Sequence, residues 1–346
     1  MVAAARNDDH GGDLLGRMQL FVRGLDALCE RHALDAELVL VEWNAPVDRP
    51  RLAQALAWPD SPRACGVRII TVPPDVHGRF KHSEALPLFQ MIAKNAGIRR
   101  ARGHFVLATN VDLLFSNELV RFLASTRLQS GRLYRVERYD VPGRVPEELS
   151  LDELLNWCAG NVIRISGRDA TVNMRTGHRH VIYSPGRTTG RARLHTNACG
   201  DFQLMAARHW WELRGYPEFE TYSMHLDSVL SFMAHFGGAR EKVLADPMRI
   251  YHFEHTGGWT PGEKRSKVLD TRLDSAGVPQ LPHATFDAWA REMTRSERAI
   301  IFNDDNWGLA NDQLDEEHVV RASWESGSYE WPTAEPAATF SARDSK

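Results

Sequence analysis

Asn110 and Asp112 stand two residues apart at the end of a short apolar run, His104 to Ala108. If the chain stays extended there, both side chains point to the same face. Two oxygens projecting together from the carboxyl end of a buried strand can share one hard divalent cation. Asn and Asp are also common turn formers, so an ordinary strand-to-loop turn accounts for the same pair. A second group lies far along the chain. His252 and His255 are three apart, at the end of the strand-like run Met248 to Phe253. Imidazole is a frequent metal ligand, although a His-x-x-His pair also arises from exposed or core histidines.

These groups need elements to hold them. Val2 to Ala5 is a short apolar strand ending at the polar loop Arg6-Asn7-Asp8-Asp9-His10-Gly11-Gly12. Leu14 to Cys29 carries apolar residues at helical spacing. Ala36 to Glu42 and Val67 to Val72 are further strands, broken by Trp43-Asn44-Ala45-Pro46 and Pro73-Pro74. Ala93 to Ala101 is helix-compatible, with Arg99, Arg100 and Arg102 suited to its C-terminal end and Gly103 able to stop it. Strand–helix–strand units with short connections predict a parallel, helix-covered sheet whose ligands lie at the strand carboxyl ends. Arg6 to Asp9, Glu42 to Asn44 and Asn110-x-Asp112 therefore fall on one rim.

Beyond that rim, Leu113 to Ser125 shows helical spacing and Arg132 to Tyr139 alternates like a half-exposed strand. Val141 to Arg193 is rich in Gly, Arg and Pro with weak periodicity, and reads as a mobile or substrate-covering insertion. Leu194 to Phe202 is a dense polar run, followed from Gln203 to Trp211 by a predicted helix. A later helix ends near Gly237-Gly238. Phe286, Trp289, Met293 and Ile300 suggest an appended helical segment, and Asn303 to Leu309 is a polar turn beside Trp307.

With 346 residues and a net charge of −3, the chain is long enough for one large or two ordinary domains and has no general pull towards nucleic acid or anionic membrane. No run of about 18 apolar residues is present, so no transmembrane helix is expected. No secretory leader is visible ahead of Val2. Cys29, Cys65, Cys158 and Cys199 lack Cys-x-x-Cys spacing and are expected to be reduced and buried, which fits a cytoplasmic compartment, with peripheral membrane association left open.

Asn95-x-Gly97, Ala101-x-Gly103 and the strand closing on Asn110-x-Asp112 resemble the central segment of nucleotide-sugar glycosyltransferases with the GT-A fold. In that family an Asp-x-Asp motif ends the strand and carries the metal that grips the donor diphosphate. Here Asn110 replaces the first acid, which leaves Asp112 as the charged ligand. On that resemblance the fold is α/β, a GT-A-like doubly wound, mostly parallel sheet with helices on both faces and a helical C-terminal extension. Residues 1–260 form the transferase domain, with a donor half at 1–140 and an acceptor half at 194–260. The extension covers 261–330, and 331–346 is a disordered tail.

The resemblance also implies roles. The loop after the first strand and the acid after the second hold the nucleoside, giving Arg6, Asn7, Asp8, Asp9 and Glu42, with Asn95 and Asn110 beside them. Leu213-Arg214-Gly215-Tyr216-Pro217-Glu218, followed by Met224-His225-Leu226-Asp227-Ser228, resembles the acceptor half of galactosyltransferase-like members. That implies Asp227 as general base and Asn197, Asp201, Glu218 and Trp259 around the acceptor. An acid at a helix N-terminus is equally an ordinary favourable contact with the helix dipole. A late histidine completes the metal shell in many members, implying His252 or His255. The implied cofactor is Mn²⁺ or Mg²⁺. The implied partners are a nucleotide-sugar donor, usually a uridine diphosphate sugar, and a glycan, glycolipid or small-molecule hydroxyl acceptor. A sugar-phosphate nucleotidyltransferase and a non-catalytic nucleotide- or sugar-binding protein remain as alternatives. An Asn110→Asp exchange is expected to keep or tighten metal binding.

Overall fold

The computed structural model describes residues 1–146, 148–183, 190–255 and 273–326. Trp259 and the expected tail lie outside them. The strands are β1 (Val2–Ala5), β2 (Ala36–Trp43), β3 (Cys65–Val72), β4 (Phe105–Thr109), β5 (Leu113–Phe115), β6 (Arg132–Arg135), β7 (Glu137–Val141), β8 (Arg164–Ser166), β9 (Ala170–Asn173), β10 (Arg179–Val181), β11 (Phe202–Ala206), β12 (Arg240–Val243), β13 (Arg249–Phe253) and β14 (Asp315–Val320). The helices are α1 (Leu14–His32), α2 (Leu52–Ala55), α3 (Pro74–His77), α4 (Gln90–Arg100), α5 (Asn117–Leu123), α6 (Leu151–Gly160), α7 (Ala207–Leu213), α8 (Leu226–Phe236) and α9 (His283–Ser296).

The main sheet runs β12-β6-β11-β4-β1-β2-β3-β14. Its centre, β4-β1-β2-β3, is parallel as expected, whereas β11 and β14 pair antiparallel to their neighbours, so the sheet is mixed. Strand periodicity builds a core on each face. Val2 and Ala4 of β1 with Val39 and Val41 of β2 join one core under α4, α8 and α9; Ala3, Ala5, Leu38 and Leu40 join the other under α1 and α5. Gly97 lets α4 lie close on the sheet, since a Cβ there would stand 2.5 Å from Val2 Cγ1.

A second sheet, β10-β9-β8-β7-β13-β5, packs beside the first. Its existence corrects three sequence expectations. The run Arg132 to Tyr139 is not one strand: Val136 separates β6, in the main sheet, from β7, in the second. Leu113 to Phe115 is strand rather than helix, because it pairs with β13; the helix starts only after Ser116, whose side chain accepts from Leu119 N. The Val141 to Arg193 stretch supplies β8, β9 and β10, with α6 before them. Likewise Gln203 begins inside β11, paired with β4, and the helix waits until Ala207. Apolar runs this short fit either period, and tertiary pairing decides. The C-terminal segment is also more than helical: α9 packs on α8, and the chain then returns as β14 along the edge of β3. Most of β14 is exposed. Among the described residues no helix is long and apolar enough to cross a membrane.

Candidate functional site

β4 delivers Asn110 and Asp112 to the carboxyl end of the main sheet, where the chain crosses into β5 of the second sheet. β13 runs antiparallel to β5, and Phe253 N donates to Asp112 O over 3.0 Å. That pairing brings two distant histidines to one carboxylate. His255 Nε2 is 3.2 Å and His252 Nε2 3.6 Å from Asp112 Oδ2. Ligand atoms of all three residues lie within 4.8 Å of one another. Asp112 Oδ1 is buried and has no hydrogen-bond partner among the described residues. An orphaned anionic oxygen beside two imidazoles fits a divalent cation, because an unpaired buried charge is otherwise costly.

Electrostatics agree with a tightly held cluster. Burial opposes ionisation of Asp112, but the neighbouring imidazoles of His252 and His255 outweigh it and hold the carboxyl well below its usual range. Burial and the Arg138 charge disfavour the His252 imidazolium; Asp112 and Asp140 overcome both and raise His252 to about 9.

A ring of contacts surrounds the cluster. Asn110 Nδ2 donates to Asp201 Oδ1 over 2.5 Å, and Arg138 Nη1 donates to Asp201 Oδ2 over 2.9 Å. Arg138 Nε lies 2.9 Å from Asp140 Oδ1, which is itself 2.8 Å from His252 Nδ1. His252 then meets Asp112, closing the ring two residues from where it began. Arg164 anchors Asp140 from the far side, with its Nε donating to Oδ2 over 2.6 Å. The charged members Arg138, Asp140 and Arg164 sit on β7 and β8, elements that sequence periodicity alone treats as half-exposed or irregular. Asn110 is held as a strut, its Oδ1 accepting from Gln90 Nε2 over 3.0 Å while Nδ2 donates to Asp201, so Asn110→Asp would set a second carboxylate against Asp201.

Two cavities meet at this ring. One, about 290 Å³, is lined by Arg6, Asp8, His10, Asp112, His252 and His255. The other, about 550 Å³, is lined by Asp227, Asn197, Thr196, His225 and Phe286. Asn110, Arg138, Arg164 and Asp201 line both. A larger cavity of about 620 Å³ lies at the amino ends of the strands, beneath Leu34, Phe105 and Trp324, away from the histidine–carboxylate cluster. Size alone does not locate the chemistry.

Arg6 Nε donates to Asn44 O over 2.6 Å and its Nη1 pairs with Asp8, so the β1 loop is braced against the end of β2 while facing the smaller cavity. His10 packs edge-on against His255, with ring centroids 5.6 Å apart. Asp227 is the second residue of α8, where Oδ2 accepts from Gly200 N over 2.8 Å and Oδ1 from Ser228 N over 2.7 Å. Asn197 lines the Asp227 cavity and donates to Gly167 O and Thr171 Oγ1. Lys94, absent from the sequence candidates, is fully buried beneath the site and donates to Gly200 O over 2.9 Å. Burial lowers it to about 8 against the pull of Asp201, Asp227 and Asp112.

Five expected contacts are spent elsewhere. Glu42 is 1% exposed; its oxygens take Arg51 Nε at 2.6 Å and Leu52 N at 2.8 Å, fixing the start of α2. Asn7 is buried with Nδ2 donating to Pro50 O, and Asp9 accepts from Leu14 N at the head of α1. Asn95 accepts from Tyr216 N and donates to Tyr216 O and Glu218 Oε1. Glu218 also accepts from Gly308 N, and burial raises it to about 7. None of these five lines either cavity of the cluster. The Asn-x-Gly and Gly-aromatic-x-Glu signals instead mark a knot, closed by Asn303, that ties α4 to the turn after α7.

Neither a protein-family model nor a curated protein sequence matches the chain. Among solved structures, S. aureus TarS is similar with a TM-score of 0.40 at 12% identity, over 73% of this chain and 36% of that one. This chain thus spans about a third of that neighbour's length. S. aureus TarS 1-349 in complex with UDP gives a TM-score of 0.38 at 13% identity, over 82% of this chain and 68% of that one. Its complex with UDP-GlcNAc gives 0.40 at 13%, with the same coverage. Residue roles in this chain rest on its own geometry.

Proposed function

We propose that this chain transfers a sugar from a nucleotide diphosphate sugar, with uridine as the nucleoside, to a hydroxyl acceptor. The observation that carries this reading is the Asp112–His252–His255 cluster at the end of β4, in a cleft that shares a wall with the cavity holding Asp227. Asp112, His252 and His255 would hold the cation, and two imidazole nitrogens favour Mn²⁺ over Mg²⁺. When bound, the cation supplies charge neutralisation for the leaving diphosphate.

The protein's own groups carry the remaining work. Arg6, Asp8 and His10 line the smaller cavity and receive the donor's nucleotide. The cavity of about 550 Å³ that holds Asp227 takes the acceptor, whose hydroxyl must lose its proton as it attacks. Asp227, fixed by two backbone N–H groups, receives that proton. The new bond joins the acceptor oxygen to the anomeric carbon. The bond from that carbon to the diphosphate oxygen breaks, its electron pair leaving with the nucleoside diphosphate. A single displacement of this kind inverts the anomeric centre.

Calorimetry of UDP with Mn²⁺ and with EDTA tests the reading. Mn²⁺-dependent binding is expected, together with sugar transfer from a donor panel. Equal affinity under both conditions would remove the metal role, and binding without transfer to any hydroxyl acceptor would leave a nucleotide-binding protein.

A further inference from the structure

β7 and β13 are parallel, and their register sets Asp140 opposite His252; β8 sets Arg164 opposite Asp140. A cross-strand row Arg164·Asp140·His252 therefore lies on one face of the second sheet, ending at Asp112. Asp140 is fully buried, and both its oxygens are taken: Oδ1 by His252 Nδ1 and Arg138, Oδ2 by Arg164 Nε. Arg138 in turn is tied to Asp201, and Arg164 Nη2 to Glu254 over 3.0 Å. Held from two sides, the Asp140 carboxylate has no freedom to swing.

We propose that Asp140 is a positioning residue for the metal centre: it accepts the Nδ1–H of His252 and so fixes the ring with Nε2 facing the ion shared with Asp112. The inference rests on the metal reading above. Its physical basis is general, since a carboxylate on the far nitrogen of a ligating imidazole sets both tautomer and orientation. An amide cannot replace it here. Asparagine offers one acceptor oxygen, whereas Asp140 faces N–H donors on both sides, so Asp140→Asn must turn an NH₂ towards a donor.

Titration of Mn²⁺ into the whole protein, followed by electron paramagnetic resonance, is the test. Asp140→Asn is expected to weaken Mn²⁺ binding roughly 10- to 100-fold. In a His252→Ala background the same exchange should cost almost nothing further, because the ring it orients is gone. Equal losses in both backgrounds, or unchanged affinity in the first, would overturn the proposal. Absence of Mn²⁺ binding by the unaltered protein would instead overturn the metal reading, and this inference with it. Should Asp140→Asn fail to fold, long-range ¹H–¹⁵N spectra of the Cd²⁺-loaded unaltered protein decide. Coordination through His252 Nε2 with Nδ1–H retained is expected, and coordination through Nδ1 refutes it.

Discussion

The ring around Asp140 and the knot around Asn95 are both buried, both polar and both built from residues far apart in sequence. They differ in how completely their atoms are paired. In the knot Asn95, Glu218, Asn303 and the Tyr216 backbone satisfy one another. In the ring, one oxygen of Asp112 is left with no partner among the described residues and the other faces two imidazoles. Complete pairing fixes structure; incomplete pairing leaves room for a ligand. Perturbing each cluster in turn tests that division.

The largest effect is expected from Asp112→Ala. It removes the only anionic member of the proposed shell, and Mn²⁺-dependent nucleotide binding should fall by roughly 100-fold or more, read by calorimetry. Asp227→Asn comes next. It keeps the size of the side chain and removes the basic oxygen, so transfer should drop about 100-fold while donor affinity stays near native. Near-native turnover would place the base elsewhere.

A pH series sharpens the contrast. An ordinary imidazole would free its nitrogen for metal above about pH 6.5; His252 is raised to about 9. Metal must displace that proton, so Mn²⁺ affinity should rise about tenfold per pH unit from 7 to 9 and then level off. A plateau already reached at pH 7 would contradict proton displacement from His252.

The knot predicts the smallest change, and a different readout. Glu218 is raised to about 7 from an ordinary 4.5. The folded chain therefore holds that proton more tightly than the unfolded chain, and stability declines as pH rises through the window from about 4.5 to 7. Glu218→Gln should flatten this decline in thermal melts and leave the KM for the acceptor unchanged. A raised acceptor KM would return Glu218 to the acceptor site.

Much of the rim was legible in the sequence because its elements are local. Val2 to Ala5, Ala36 to Glu42 and the helix through Ala101 follow from periodicity and stop signals, within a residue or two of β1, β2 and the end of α4, and they put Arg6 and Asp112 on one edge. The ring was not legible. Arg138 and Asp140 alternate with apolar residues as a solvent-facing strand does, and only pairing with β8 and β13 buries them. Asn95 and Glu218 misled for the opposite reason: polar residues in motif-like spacing suggest ligands, yet each had a backbone turn to satisfy. Lys94 beside Asn95, a charge within an otherwise buried helix face, was the signal that could have been read.

The two ends of the main sheet carry a last consequence. Sheet edges expose unpaired backbone groups that invite another strand. Here β14 begins Asp315-Glu316-Glu317, largely exposed, and β12 at the opposite end reads Arg240-Glu241-Lys242. A second copy approaching β14 edge to edge would press carboxylates against carboxylates and strip their hydration. The returning C-terminal strand thus gives that edge of the sheet a border that resists pairing with its own copy.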